Sequence, residues 1–351
     1  MKHRFAILPG DGIGVDVTRE AMKVLTATMA ESSIELETKT FAYGAEHFLA
    51  TGETLPPGAL EEFQTFDAIY MGAFGDPRIP DMRHAREILL GTRFQLDLYA
   101  NMRPVCCLHD RLCPLRNFSA EDIDFVVFRE NTEGLYVGMG GIFKRGTPDE
   151  VALQEDVNTR KGVERIIRAA FEYARKHERK RVTMSDKSNA LRFGHDIWQR
   201  VFQEVAEEFS EIESNHLYVD ALAMQLIKNP KQFEVIVTCN MFGDIVTDVG
   251  AQLQGGLGMA ASGNTRPDGT SMFEPVHGSA PKYAGTDRAN PLAAVLTVGM
   301  MLQHIGLGEA ETKIEQAVKA CLEAGECTAD VGGRLGTAAT GDAVARRLRS
   351  D

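Results

Sequence analysis

The sequence predicts an α/β protein of two domains with largely buried, mostly parallel strands, and three observations lead there. Short apolar runs rich in β-branched residues alternate with longer stretches whose apolar residues recur at three- and four-residue spacing, the patterns of strand and amphipathic helix. The strand-like runs are almost wholly apolar, as strands covered on both faces are. At 351 residues the chain also exceeds the roughly 100 to 200 residues of one domain.

In order, RFAILPG (4–10) reads as a strand running into a glycine turn, and VDVTREAMKVLTATMAE (15–31) as the amphipathic helix after it. FDAIYMGAFGDP (66–77) is a strand closed by Gly and Pro, which break regular structure. IDFVVFREN (123–131), RVTMSDKSN (181–189) and FEVIVTCN (233–240) are further buried strands. TRKGVERIIRAAFEYARKH (159–177) and GHDIWQRVFQEVAEEF (194–209) are amphipathic helices between them. No repeat, low-complexity tract or linker divides the chain, so a crossing between domains is expected to run through strands.

The net charge is -12 and no Lys/Arg-rich tract occurs, which argues against nucleic acid or anionic lipid and for a small-molecule partner. The apolar run near the start is too short for a signal-peptide core, and no segment is long enough to span a bilayer. A cytoplasmic location is expected. The six cysteines include no CxxC pair, so reduced thiols are expected.

Gly10, Gly12 and Gly14 in LPGDGIG resemble a dinucleotide turn, but position 15 is Val, which breaks the G-x-G-x-x-G pattern of a standard Rossmann site. Asp244 and Asp248 in NMFGDIVTD stand four apart, on one helix face, where like charges repel. Taken alone, the pair fits a solvated first helical turn favoured by the dipole. A third acid, Asp220 in YVDALAMQLI, favours an all-oxygen site for Mg2+ or Mn2+. Arg93 and Arg103 flank the segment between GTR and MRP, and Arg129 ends VVFREN; each could fork a carboxylate or serve a structural ion pair. Together, three arginines and three acids describe a site for a small polycarboxylate. Tyr136 in RENTEGLYVG and Lys187 in MSDKSNAL could carry protons or be ordinary loop residues. FEPVHGSAPKYAGTDRANP (273–291) is a Gly-, Ala- and Pro-rich loop that lets backbone approach a ligand.

These residues resemble the metal-dependent, decarboxylating dehydrogenases of β-hydroxyacids: the group of 3-isopropylmalate, isocitrate, homoisocitrate, tartrate and D-malate dehydrogenases. The resemblance runs from LPGDGIG to VGGRLGT, and NMFGDIVTD followed by EPVHGSAPKYAG is its most specific part. It implies a two-domain α/β fold, a large mixed sheet flanked by helices, unlike the Rossmann domain. Residues 1–98 and 254–351 would form the first domain, and 99–253 the second, with the metal acids and the dimer interface. A homodimer is implied, with Lys and one Asp entering each site from the neighbouring subunit. Arg93, Arg103 and Arg129 match the carboxylate-clamping arginines, Tyr136 and Lys187 the acid/base pair, and Asp220, Asp244 and Asp248 the metal acids, Asp220 also touching substrate. His277, Gly278, Ser279, Ala280, Lys282, Tyr283 and Asn290 match the adenosine-binding loop, and Glu274 lies toward the nicotinamide. The implied chemistry is oxidation by NAD or NADP and loss of CO2, with Lys187 as general base, through Asp220 or a water, and Tyr136 protonating the enol carbon.

Leu89 and Leu90 in AREILLGTR are similar to the apolar pair of isopropylmalate enzymes, which favours isopropylmalate and leucine biosynthesis. Arg86, one turn earlier, could instead pair with a third carboxylate, keeping isocitrate, homoisocitrate, tartrate and D-malate as alternatives. Lys282-Tyr283 resembles NADP-using isocitrate enzymes, whereas the partner Tyr and Arg of that group are not evident, so NAD is expected ahead of NADP. A silent regulatory subunit is the rival class, but it would lack the catalytic Tyr, Lys or metal acids, all present here.

Overall fold

A computed structural model describes residues 2–30 and 34–349. Its strands are β1 (Lys2–Gly10), β2 (Glu35–Thr40), β3 (Ala68–Ala73), β4 (Ala100–Cys106), β5 (Asp124–Glu130), β6 (Gly140–Phe143), β7 (Val151–Gln154), β8 (Arg181–Asp186), β9 (Glu213–Tyr218), β10 (Val235–Thr238), β11 (Ala261–Thr265) and β12 (Ser271–Pro275). Its α-helices are α1 (Ile13–Met29), α2 (Ala45–Thr51), α3 (Ala59–Phe63), α4 (Arg83–Gln95), α5 (Arg160–Lys176), α6 (Asp196–Glu207), α7 (Val219–Lys228), α8 (Asn240–Leu253), α9 (Leu292–His304), α10 (Gly308–Glu323) and α11 (Thr337–Arg347). Each strand and helix expected above is present, with ends shifted by a few residues; Glu31, the last residue of the expected first helix, lies outside the described residues.

The chain forms two compact units. The first comprises Met1–Leu98, Cys106–Ile123 and Ala251–Asp351. Its strands run in the order β2-β1-β3-β12-β11. All neighbours are parallel except β11 and β12, so the sheet is mixed. α9 is apolar on every side and buried along most of its length, as a helix covered all round must be. α1 and α10 pack on it. Another buried cluster joins Phe41, Phe63 and Phe66 to Ile69, Met71 and Ile88.

The second unit comprises Tyr99–Val105 and Asp124–Gly250, with strand order β4-β5-β10-β8-β9. β5, β10, β8 and β9 pair in parallel. Val163, Ile166, Ile167, Ala170, Phe171 and Ala174 place one stripe of α5 in the core, where they meet Trp198, Val201 and Phe202 of α6. Outside that core, Arg160, Arg168 and Arg175 of α5 pair with Glu204, Glu208 and Glu211. β6 and β7 form a separate antiparallel ribbon, exposed throughout.

Two details differ from expectation. Residues 106–123 and 251–253 cluster with the first unit, although 99–253 was expected to be one piece. Side chains explain the return: Gln254 accepts from the Cys106 N–H at 2.9 Å, and Arg111 donates to the Val331 carbonyl at 3.1 Å. The stretch 273–291 was expected to be loop throughout, but its first three residues, Phe273 to Pro275, belong to strand β12, so the loop proper begins after Pro275.

Candidate active site

The second unit brings three of the expected residues onto the carboxylate of a fourth. Arg103 projects from β4, Arg129 from the end of β5, and Asp244 from α8. Nη2 of Arg103 donates to Asp244 Oδ1 at 3.1 Å, Nη1 of Arg129 donates to the same oxygen, and the Tyr136 hydroxyl donates to Oδ2 at 2.9 Å. The Arg129 guanidinium also lies 5.2 Å from the Tyr136 ring centroid, within cation–π range.

Neutral groups hold both arginines. Arg103 donates from Nε to Asn101 Oδ1 at 2.8 Å and from Nη1 to Thr247 Oγ1 at 2.6 Å. Arg129, 2% exposed, donates from Nε and Nη2 to Asn240 Oδ1 at 3.1 and 2.8 Å. Its stem lies against Gly243, where an added Cβ would sit 2.5 Å from Cγ of Arg129, so only glycine fits there. Asn101, Asn240, Gly243 and Thr247 were not singled out from the sequence. Asn240 and Gly243 stand inside the quoted NMFGD, but spacing does not reveal which neighbour an amide or a missing Cβ faces.

α8 begins at Asn240, so Asp244 and Asp248 lie beyond its first turn and a solvated N-terminal pair does not describe them. Asp248 is exposed, but partial desolvation first, and the Asp244 charge second, still push its carboxyl above its ordinary range, against the arginines. Burial and then Asp244 likewise raise the Tyr136 hydroxyl, so it keeps its proton at neutral pH.

Lys187 and Asp220 form a second group. Lys187, just past β8, bonds Asp220 Oδ1 in the first turn of α7. That bond is the main cause holding the Asp220 carboxyl below its usual range. The Lys187 N–H donates to His195 Nδ1 at 3.1 Å. Next to it, buried Asp186 accepts from Ser188, Gln199 and His216, tying β8 to α6 and β9. Among the described residues, no three His, Cys, Asp or Glu side chains gather as a metal-binding group; within one chain Asp220 therefore does not join Asp244 and Asp248.

The first unit holds the remaining residues. Arg93 donates to Glu274 Oε1 at 2.7 Å, and Asn264 donates to the same oxygen at 2.9 Å. Leu89 and Leu90 are both half-buried, and Leu89 packs against the aromatic core cluster. Arg86 is exposed, and Glu87 is taken by Arg83 and Thr54.

The LPGDGIG turn supports the loop after β12. The Ile13 N–H donates to the Ser279 carbonyl at 2.8 Å. Gly12, at φ +55°, lies so close that a Cβ would be 2.2 Å from that oxygen. Asp11 accepts from the Ala45 N–H at 2.6 Å, the Gly75 N–H at 2.8 Å and His84 Nε2 at 2.9 Å. Lys282 Nζ and Arg288 Cζ lie 4.8 and 5.4 Å from the Tyr283 ring centroid. His277 is held below its usual range by burial, and its Nδ1 lies 3.1 Å from the Gly278 carbonyl. Ala280 takes a left-handed conformation. Asn290, expected at the cofactor, is committed to structure: Oδ1 accepts from the Leu292 N–H opening α9, and Nδ2 donates to Asp330.

The sequence profile of isocitrate/isopropylmalate dehydrogenase matches residues 4–344. The chain belongs to the isocitrate/isopropylmalate dehydrogenase family. It is 45% identical to the 3-isopropylmalate dehydrogenase of Thermobifida fusca, over 98% of this chain and 97% of that one. It is also 45% identical to the 3-isopropylmalate dehydrogenase of Streptomyces coelicolor over the same shares. Among solved structures, isocitrate dehydrogenase from Methylococcus capsulatus is similar with a TM-score of 0.90 and 37% identity, covering 99% of this chain and 100% of that one. Family membership agrees with the α/β fold and mixed sheet described above. No helix among the described residues is long and apolar enough to cross a membrane.

Proposed function

We propose that the chain oxidises and decarboxylates 3-isopropylmalate to 4-methyl-2-oxopentanoate with NAD, as a step of leucine biosynthesis. The observation that carries the reaction class is the convergence of Arg103, Arg129 and Tyr136 on Asp244. The full-length relatives named 3-isopropylmalate dehydrogenase support the substrate, as does the half-buried Leu90 beside the arginine helix end.

Arg103 and Arg129 would bind the substrate's carboxylates with charge-assisted forks. Asp244 and Asp248 suit a divalent cation, because a second carboxylate one helical turn away, raised by partial desolvation and its neighbour's charge, is the donor set that a cation relieves. When bound, Mg2+ or Mn2+ would polarise the substrate hydroxyl, and the nucleotide would accept the hydride. Lys187, held by Asp220, would take the hydroxyl proton, and Tyr136, whose hydroxyl retains its proton, would deliver one to carbon. The Lys187–Asp220 pair would serve the site of a second copy in a homodimer with shared active sites. The loop from His277 to Tyr283 would face adenosine, and Glu274 the nicotinamide side. Lys282 and Arg288 around Tyr283 favour NADP as a second reading of the nucleotide.

The test is reduced-nicotinamide absorbance with Mn2+, each nucleotide and a panel of 2-substituted and 3-substituted malates. Metal-dependent turnover with 3-isopropylmalate and NAD is expected. Silence with every substrate and both nucleotides overturns the proposal. Tyr136→Phe should spare hydride transfer and block the complete decarboxylating cycle.

A further inference from the structure

Arg129 sits between two residues of a single helix face. Asn240 and Asp244 stand one turn apart on α8; the neutral amide takes the Nε and Nη2 edge of the guanidinium, and the carboxylate takes Nη1. A guanidinium is planar with five donors in fixed directions, so one acceptor on its Nε/Nη2 edge sets where the other edge points. The orientation of the Asn240 amide is itself fixed. Nδ2 donates to the Glu133 carbonyl at 3.0 Å, and a flipped amide would aim N–H at a cation and oxygen at a carbonyl. Glu133 is anchored in turn by the Thr159 N–H and hydroxyl at the start of α5. Gly243 closes the floor under the side chain.

We propose that Asn240 is a positioning residue that aims the Nη1 edge of Arg129 into the site while leaving its charge available for an anionic substrate. The substrate part rests on the hydroxyacid reading above; the aiming of Arg129 does not. A carboxylate in place of the amide would hold the same edge and also neutralise it. Neutrality at position 240 is therefore as much part of the device as its acceptor.

The experiment uses the full chain and the variants Asn240→Ala, Asn240→Asp, Arg129→Lys and Asn240→Ala/Arg129→Lys. Arginine Nε–H exchange by 15N NMR reports the hold directly, the Arg129 signal being the one lost in Arg129→Lys. Slow exchange in the wild type and at least tenfold faster exchange in Asn240→Ala are expected, with protection kept in Asn240→Asp. Unchanged exchange in Asn240→Ala overturns the proposal whether or not the chain oxidises hydroxyacids. For turnover, KM for 3-isopropylmalate should rise about ten- to a hundredfold in Asn240→Ala, the usual span for a lost hydrogen bond to a charged group. KM for NAD should stay within about twofold. In the Arg129→Lys background the same change should add less than about twofold, because the two residues act as one unit. An equal effect in both backgrounds, or lower thermal stability with unchanged KM, overturns it. Asn240→Asp should raise KM despite holding the edge; a lowered KM overturns the role of neutrality and would remain informative if Asn240→Ala does not fold. A wild type silent toward every hydroxyacid is the failure of the functional reading, and Nε–H exchange then decides the inference alone.

Discussion

Nη2 of Arg93 lies 2.7 Å from Oε1 of Glu274, and each side chain is only 9% exposed. The pair joins the last turn of α4 to β12 inside the first unit. Burying two charges is costly, and their mutual attraction offsets the cost only while both are present.

Glu274→Ala should therefore lower stability by about 3 kcal/mol, the typical result of stranding one partner of a buried pair. Glu274→Gln should lose less, since an acceptor for Arg93 remains. Denaturation of both variants checks this, and a double variant with Arg93→Ala should fare better than the sum of the singles. Losses below about 1 kcal/mol in Glu274→Ala would mean that the site is wetter than the geometry indicates.

Asp244 and Asp248 oppose each other across one helical turn, so the fold carries an electrostatic cost for keeping both. Asp248→Asn should stabilise the metal-free protein by only about 0.5 kcal/mol, read as a small rise in melting temperature, because the side chain is largely open to solvent. The same change should shrink the stabilisation that Mn2+ gives the wild type, because a ligand stabilises only as far as it binds the native state. Thermal shifts with and without Mn2+ measure both effects, and an undiminished Mn2+ shift in the variant would remove Asp248 from the metal site.

Much of this site is legible in the amino-acid sequence. Buried strands such as FEVIVTCN and the α5 stripe announce themselves through apolar runs and helical spacing, which follow from burial. Arg103, Arg129, Tyr136 and Asp244 stood out as chemistry-bearing residues at element ends, and the structure brings them together. What stayed hidden depends on facing, which one-dimensional spacing does not carry. Asn290 belongs to the expected loop, and its side chain also accepts from the Leu292 N–H at the start of α9. Leu89, half-buried like Leu90, packs against the aromatic core cluster, a contact that spacing alone does not reveal. The β6/β7 ribbon, exposed on every residue, has no buried face to impose an alternating pattern.

Asp11 illustrates a hidden support. Its carboxylate collects two backbone N–H groups and His84 within a buried turn, linking the first glycine turn to α2 and α4. Asp11→Ala would leave those donors without an acceptor, at a cost of about 1 to 3 kcal/mol for each buried group. A loss of at least about 3 kcal/mol in thermal unfolding is expected, together with weaker nucleotide binding because Ile13 of the same turn holds Ser279. Unchanged nucleotide affinity in the folded variant would separate the turn from the loop.

Glu311 provides a test in pH. It lies half-buried on α10 against α9, where a Cβ on Gly299 would come 3.4 Å from its Cγ. Burial, and next the charge of Glu315, push its carboxyl up to about 7. Between the ordinary carboxylate range and that value the native state holds a proton that the unfolded chain has released. Stability therefore falls as pH rises through this window, since the slope follows the difference in bound protons. The penalty is absent below the unfolded pKa and complete above about pH 8. Glu311→Gln removes the titration while keeping the shape of the side chain, so its benefit should grow from near zero at about pH 4 to about 1 to 2 kcal/mol at about pH 8, after allowance for solvent screening. Melting curves of both proteins across that range decide it: a stability difference that does not vary with pH would mean that Glu311 ionises in the native state as freely as in the unfolded one.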